Sequence, residues 1–197
     1  MKKGLYWLCL LAVPFLVYAD EPVIIADFDK DPGTNLGSEI IAHRKIPSDA
    51  KWELDGEVFR GESGKSLRIE YIRLAGGSDC YVLLKIPGVK VTEDQVLSFW
   101  IKGKEGGEIF DVGLRDHKMA EGGRLPEPMV YVDRVLEGGV TEGWQRVVIP
   151  VTKFRSRDLD LQSLESVVIA FNRITKFSVI YLDDVRFEAS PQPGGNK

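Results

Sequence analysis

The chain has 197 residues, with 26 Lys and Arg against 30 Asp and Glu, and a formal net charge of −4. Acidic and basic residues are interspersed, so the sequence lacks the basic face that nucleic-acid-binding proteins carry and is not expected to bind nucleic acid. A chain of this length forms one ordinary domain, which buries about 70% of the surface exposed by its unfolded state.

Residues 1–19 have the three parts of a secretory signal peptide. A start with two lysines leads into an apolar run, and small or branched residues precede the expected cleavage after Ala19. An uncleaved membrane anchor is the alternative, but the apolar run is short for a span and contains Pro14. We therefore expect a secreted or periplasmic protein with no membrane span after cleavage.

Cleavage leaves Cys80 as the single cysteine, so an intrachain disulfide is excluded. Cys80 lies in an apolar run, which predicts a buried and unreactive thiol. Stability then has to come from the hydrophobic core, with a bound metal as the other source to consider.

Short segments with a two-residue period follow one another along residues 20–188, separated by Gly and Pro turns. The first is Val23–Phe28, and a stretch of weak pattern at 31–50 is expected to be a long loop. The later segments lie at 67–71, 82–86, 97–101, 110–114, 129–135, 145–149, 167–171 and 177–187. About nine to eleven strands of this kind predict an all-β sandwich or barrel. The Pro- and Gly-containing residues 189–197 are expected to form a disordered tail.

No catalytic motif stands out in the sequence. The segment Gly61–Lys65 resembles a nucleophile elbow but ends in Lys rather than Gly, and only His43 and His117 are available as histidines. Metal-binding Cys or His spacings and a phosphate-binding Gly loop are also missing. The chain is therefore expected not to be an enzyme, although a pair of catalytic carboxylates remains an alternative.

Acidic residues mark the ends of the first and last predicted strands. Asp27 and Asp29 close the first strand, and Asp183 and Asp184 lie within the last. If these strands are neighbours, about 4.8 Å apart, their carboxylates come within reach of one cation. Carboxylate oxygens are ligands that Ca²⁺ prefers, so we predict a structural calcium site at Asp27, Asp29 and Asp183. The alternative is that they are ordinary strand-end residues facing water.

Aromatic rings with Asp and Arg nearby are typical of sugar-binding surfaces, because sugars present an apolar ring face and a rim of hydroxyls. Strand parity allows Trp100, Asp111, Arg115, Tyr131 and Asp133 to lie on faces opposite the core. The alternative for each aromatic residue is packing in the core or at an edge. The predicted ligand-binding residues are Tyr71, Trp100, Arg115, Asp116, Tyr131, Asp133 and Arg155.

An ordered set of segments carries a family resemblance. These segments are Asp27-Phe28-Asp29, GKSLRIEY at 64–71, LSFWIKG at 97–103, WQRVVIP at 144–150, VVIAF at 167–171 and IYLDDVRF at 180–187. Together they resemble a galactose-binding-like β-jelly roll, and more narrowly family 11 carbohydrate-binding modules and the related complex I intermediate-associated domains.

The resemblance implies a sandwich of two antiparallel sheets, one of them concave, with structural calcium. Members bind β-glucan in the concave cleft through tyrosines, with Asp and Arg along its sides. By motif, Tyr71, Tyr131 and Arg155 would fall at or near the cleft, and Asp29 and Asp183 would bind calcium with Asp27 close by. The family's longer loop after residues 154–157, which bears a further cleft tyrosine, is missing here.

The sequence thus predicts an exported, non-catalytic carbohydrate-binding domain with a structural calcium site, which binds a polysaccharide or oligosaccharide on a concave sheet. The sequence shows no catalytic domain, so a role as the targeting module of an enzyme would need a partner, such as a separate secreted enzyme or a protein complex. The alternative is a protein-interaction or assembly domain on the same fold, with Trp100 and Tyr131 at a protein interface.

Overall fold

The computed structural model describes residues 21–29, 35–36, 38–74, 79–123, 125–126, 128–156, 158–173 and 176–191. The predicted signal peptide and the last six residues of the predicted tail lie outside these ranges. Within them, no helix is long and apolar enough to cross a membrane.

The described ranges contain eleven strands, two short α-helices and one 3₁₀ turn. The strands are β1 (Val23–Ala26), β2 (Ile40–His43), β3 (Asp49–Asp55), β4 (Ser66–Arg73), β5 (Tyr81–Val89), β6 (Gln95–Gly103), β7 (Asp111–Asp116), β8 (Val130–Tyr131), β9 (Gln145–Pro150), β10 (Leu164–Ala170) and β11 (Lys176–Ala189). The helices are α1 (His117–Glu121) and α2 (Val132–Val135), and the 3₁₀ turn is Val151–Phe154.

Two antiparallel sheets form the sandwich. Sheet A has the order β3-β4-β11-β6-β9, and β1 pairs with the later part of β11; sheet B has the order β2-β5-β10-β7-β8. The all-β jelly roll predicted from the sequence is therefore confirmed. The first and last strands are neighbours, as expected for this fold.

Alternation along the strands builds the core between the sheets. On β6, Leu97, Phe99 and Ile101 are fully buried and point inward, whereas Trp100 lies on the opposite face. Cys80 is fully buried and free, as predicted, and burial raises the pKa of its thiol to about 11.

Two segments differ from the sequence prediction. The expected loop at 31–50 contains β2 and the start of β3, which are both end strands of their sheets. End strands bury few side chains, so their apolar pattern is weak. The expected strand at 129–135 is a strand only at Val130–Tyr131 and then becomes α2. Its four consecutive apolar residues, 129–132, suit either element, so periodicity does not distinguish them.

Candidate functional site

One row of side chains crosses sheet B on its outer face. The strand register pairs His43 with Tyr81, Tyr81 with Ala170, Ala170 with Asp111, and Asp111 with Tyr131. Cross-strand partners share a face, so these residues lie side by side at one end of the sheet. The rings of His43 and Tyr81 stack with their centroids 4.4 Å apart. The row therefore carries aromatic rings toward both edges and a carboxylate between them.

The described residues between β7 and β8, which are 117–123, 125–126 and 128–129, fold over this face and are called the strap below. Its Leu125 and Met129 pack against a small apolar cluster on the outer face of sheet B. The buried members of that cluster are Tyr81, Leu83, Val168 and Ala170. A Cβ added to Gly113 would overlap Met129 Sδ and Pro126 Cγ, so the strap touches the middle of the sheet. The strap therefore fills part of the surface on which a ligand was expected.

Asp116 anchors the strap. Its carboxylate is fully buried, accepts the N–H of Met119 at 2.8 Å as the cap of α1, and accepts the N–H of Asp160 at 2.8 Å. Both oxygens are occupied by backbone donors within the domain. Neighbouring Arg115 is also buried. Burial raises the pKa of Tyr81, and the charge of Arg115 and its hydrogen bond to Tyr81 offset part of this rise.

Arg173 joins two carboxylates at the same end of sheet B. Its Nε donates to Asp111 Oδ1 at 2.6 Å, and its terminal nitrogens donate to both oxygens of Asp133. Such charge-assisted hydrogen bonds to a planar guanidinium are strong and directional. Asp111 and Asp133 come from β7 and α2, and Arg173 follows β10, so the contact ties three elements together.

The two carboxylates of this network titrate differently because their burial differs. Asp111 is almost fully buried, and desolvation raises its pKa to about 6 even though Arg173 acts in the opposite direction. The hydrogen bonds from Arg173 hold the pKa of the more accessible Asp133 below its usual value. Near neutral pH both carboxylates are ionised and Arg173 is paired on two sides.

Two guanidinium groups lie close to the ring of Tyr131. The guanidinium carbon of Arg173 is 4.3 Å from the ring centroid and that of Arg134 is 4.5 Å away, both over the ring. Tyr131 and Arg173 also line an open cleft of about 740 Å³. Its other lining residues are Asp79, Asp111, Pro128, Met129 and Asn172. A second opening of about 700 Å³ along the strap shares Asp79, Met129 and Asn172.

Tyr131 and Asp133 are thus the predicted ligand-binding residues that the structure brings together, and Arg173 joins them. Tyr71 belongs instead to the core, where it is 1% exposed and stacks on Phe171 at 3.9 Å between centroids. Because its ring is enclosed, Tyr71 is not part of the cleft surface.

Two further predicted ligand-binding residues lie elsewhere. Trp100 is on the outer face of sheet A, on the other side of the sandwich, with the guanidinium of Arg60 4.8 Å from the centre of its ring system. Arg155 follows the 3₁₀ turn, with a side chain 69% exposed that pairs with Glu93 at 3.4 Å. The alternation of side chains along the strand correctly predicts that Trp100 lies on an outer face, but it does not show which sheet the strand joins.

The acidic residues at the strand ends are each held by separate partners. Asp27 binds the Asn35 amide at 2.9 Å, Asp29 accepts the N–H of Lys65 at 3.3 Å, and Asp183 accepts the N–H of Arg60 at 3.3 Å. Burial, followed by the charge of neighbouring Asp184, raises the pKa of Asp183 to about 6. Among the described residues, no group of three or more His, Cys, Asp or Glu lies close enough to hold a metal ion.

Arg173 and Asn172 are cleft residues that the sequence analysis missed. They follow the apolar end of β10 in Phe171-Asn172-Arg173 and show no motif or periodicity. Only a weak signal in the sequence could have indicated them. Because β10 and β7 are antiparallel, polar residues that follow the end of β10 lie at the same end of the sheet as Asp111, the first residue of β7.

Comparison with known proteins places the chain among carbohydrate-binding modules. Residues 37–189 match the family described as carbohydrate binding domain 30. No curated protein sequence matches the chain. The family 30 module of a cellulosomal cellulase from Clostridium thermocellum superposes with a TM-score of 0.60 at 22% identity, covering 89% of this chain and 97% of that chain.

Two other solved structures share the fold at lower identity. A family 11 module from Clostridium thermocellum, in complex with a β-1,3-1,4-mixed-linked tetrasaccharide, has a TM-score of 0.63 and 12% identity over 86% of this chain and 96% of that chain. A β-1,2-glucanase from Parabacteroides distasonis has a TM-score of 0.67 and 19% identity, with 88% of this chain matching 26% of the glucanase.

The family match covers most of the chain, and the jelly roll agrees with it. The family 11 resemblance drawn from the sequence therefore pointed to the right fold and to a neighbouring family. The chain belongs to the carbohydrate binding domain 30 family, and it is a carbohydrate-binding domain.

Proposed function

We propose that this protein is an exported, non-catalytic module that binds a neutral β-glucan in the cleft beside Tyr131. The observation that carries the proposal is the cleft of about 740 Å³ in which Tyr131, Asp111 and Arg173 are in contact or adjacent. Its volume lies within the range of about 300–1,000 Å³ usual for ligand sites. The family match supplies the ligand class, and the glucan-related neighbours supply the first ligands to test.

The chemistry of the cleft suits a sugar. Arg173 lines the cleft and retains N–H groups that its carboxylate partners do not use, and Asn172 offers both donor and acceptor. Asp133 adjoins the cleft through its contact with Arg173 and offers acceptors to hydroxyl groups. The ring of Tyr131 supplies apolar area, although a sugar stacking on it has to displace or share the position of an arginine. We therefore expect a modest affinity that depends on hydrogen bonds more than on stacking.

The direct test is affinity electrophoresis in gels containing mixed-linked β-1,3-1,4-glucan, β-1,2-glucan or no polysaccharide. Wild type should be retarded by at least one glucan, and Tyr131→Ala or Asp133→Asn should lose about tenfold or more in affinity. Trp100→Ala, on the other sheet, is the matched aromatic control and should bind like wild type. Retention lost in Trp100→Ala but kept in Tyr131→Ala would refute the proposed cleft, and no retention on any glucan would refute glucan binding.

We also propose that Asp29 and Asp183 bind a structural calcium ion, with Asp27 close by. In support, Asp29 and Asp183 both contact the segment 60–65, and the Asp29 carboxylate packs where a Cβ on Gly64 would stand. Carboxylate oxygens, and the buried ones of Asp183 above all, are suitable calcium ligands. Because the described residues hold no group of three such side chains close enough for one ion, backbone carbonyls would have to complete the coordination.

The calcium proposal is tested by thermal unfolding. Chelator should lower the Tm of wild type by several degrees and added CaCl₂ should restore it, because an ion that binds only the folded state stabilises it. Asp183→Asn should remove this response. A wild-type Tm that chelator leaves unchanged would refute the site.

A protein-interaction role is the second candidate, and the strap favours it. Leu125 and Met129 already cover the apolar centre of sheet B, which leaves less open surface for a glycan chain. In that case the partner would be a separate secreted enzyme or a protein complex. Co-purification with such a partner, together with failure to bind every glucan tested, would support this role over the first.

A further inference from the structure

A groove runs along the side of the sandwich at which sheet A ends with β9 and sheet B ends with β8. It has a volume of about 460 Å³ and lies between β8 and α2 on one side and β9 with the following 3₁₀ turn on the other. Most of its lining is apolar, and Val135 is 38% exposed there. We call it the lateral groove, lined chiefly by Val130, Val135, Val148, Pro150, Arg134 and Lys153.

Tyr131 and Met129 lie between the lateral groove and the proposed glucan cleft. Both residues line both openings, whereas Arg173 lines only the cleft and Arg134 only the groove. The two guanidinium groups over the ring therefore face different spaces. The lateral groove is a separate surface, and its use does not depend on the proposed glucan binding.

The charges at the lateral groove are of one sign. Arg134 and Lys153 line it, and neither forms an ion pair with a carboxylate of the described residues. The nearest acid on the same helix, Asp133, is held by Arg173 on the cleft side. In a chain with a net charge of −4, two cations beside exposed apolar side chains favour an occupant that carries a negative charge.

We propose that the lateral groove binds an aliphatic carboxylate, with the chain along Val135, Val148 and Pro150 and the carboxylate facing Arg134 and Lys153. The apolar lining gains from removal of the chain from water, and the cations fix its orientation. The volume suits a medium-length chain. Neutral and cationic amphiphiles of the same length lack the negative charge that Arg134 and Lys153 would attract.

The test is an NMR titration of the ¹⁵N-labelled protein with sodium octanoate, octan-1-ol and octylammonium chloride, each below its critical micelle concentration. Octanoate should shift the amides of Val130, Val135 and Val148 in a saturable manner. Octan-1-ol should bind at least about threefold more weakly, and octylammonium more weakly still. Equal affinity for octanoate and octan-1-ol, or shifts confined to other surfaces, would overturn the proposal.

Two variants separate the charge from the apolar surface. Lys153→Gln should weaken octanoate binding about two- to fivefold, the range of an exposed ion pair, and leave octan-1-ol unchanged. Val148→Glu should abolish binding of both compounds. Lys51→Gln on β3 is the matched charge control and should bind octanoate like wild type. Octanoate binding that Lys153→Gln leaves unchanged would refute the role of the cations. Retention of Lys153→Gln on glucan gels, as for wild type, would show that groove and cleft act separately.

Discussion

Among the described residues, Arg68 on sheet A and Arg173 beside sheet B each join two carboxylates, and the two arginines are equally accessible. On sheet A, Arg68 binds Glu53 at 2.6 Å and Glu70 at 2.8 Å; at sheet B, Arg173 binds Asp111 and Asp133. Both arginine side chains are 23% exposed. Their partners differ, because the Glu53 side chain is 62% exposed and that of Asp111 is 2% exposed. The burial of the acid, rather than the pairing itself, therefore decides what each arginine contributes.

The largest expected effect is that of Arg173→Ala. Removing this arginine leaves Asp111 buried without its partner, so its carboxyl either stays ionised at the cost of desolvation or takes up a proton. The cost of breaking buried pairs is several kcal/mol. With part of the site open to solvent, we expect a loss of about 2–4 kcal/mol in the free energy of unfolding, measured by urea denaturation at pH 7. A loss below about 1 kcal/mol would mean that water compensates Asp111 and that the two arginines are equivalent.

The second prediction concerns pH and uses Asp111→Asn. The folded-state pKa of Asp111, about 6, lies above its unfolded value, so the folded protein binds more protons between about pH 4 and 6. This carboxyl therefore contributes stability that is fully present below about pH 4 and is lost as pH rises through about 6. The change in the free energy of unfolding is at most about 3 kcal/mol, because each pH unit between the folded and unfolded pKa values corresponds to about 1.4 kcal/mol.

The measurement compares urea denaturation of wild type and Asp111→Asn from about pH 4 to 7. Wild type should lose more stability over this range than the variant does. Asp183 also has a raised pKa, but it is present in both proteins and cancels in the difference. Parallel pH profiles would show that Asp111 is not desolvated as the geometry indicates.

Part of this architecture can be predicted from the sequence alone. Turn spacing and two-residue alternation predict the sandwich, because burial of one face of each strand is a local pattern. The same alternation puts Trp100 and Tyr131 on outer faces. It does not show that they belong to different sheets, because that depends on the pairing of β6 with β11 and of β7 with β8.

Long-range contacts explain the remaining failures. Arg173 is 62 positions from Asp111 and 40 from Asp133, so no local pattern links them. Tyr71 resembles an aromatic ligand-binding residue only until Phe171 is known to stack on it. The sequence pattern did not predict the strap, because its helix α1 has only five residues and no apolar periodicity.

The third prediction concerns the strap, which covers part of the outer face of sheet B. In Gly113→Ala the new methyl group would overlap Pro126 and Met129. Met129 has a flexible side chain, but the ring of Pro126 is rigid, so the strap has to move outward. Overpacking of this kind costs about 1–3 kcal/mol in the free energy of unfolding. Unchanged stability, with unchanged amide shifts along residues 117–129, would mean that the strap does not rest on the sheet.

The smallest effect is expected at the other arginine, in Arg68→Ala. Glu53 and Glu70 recover hydration when Arg68 is removed, so the variant should lose about 0–1 kcal/mol. Salt gives the sharper distinction. Raising ionic strength from about 0.1 to 1 M shortens the screening length from about 10 Å to about 3 Å. The loss caused by Arg68→Ala should then disappear, whereas the loss caused by Arg173→Ala should persist, because desolvation of Asp111 rather than long-range attraction sets it. Equal salt sensitivity of the two variants would remove the distinction between the two sites.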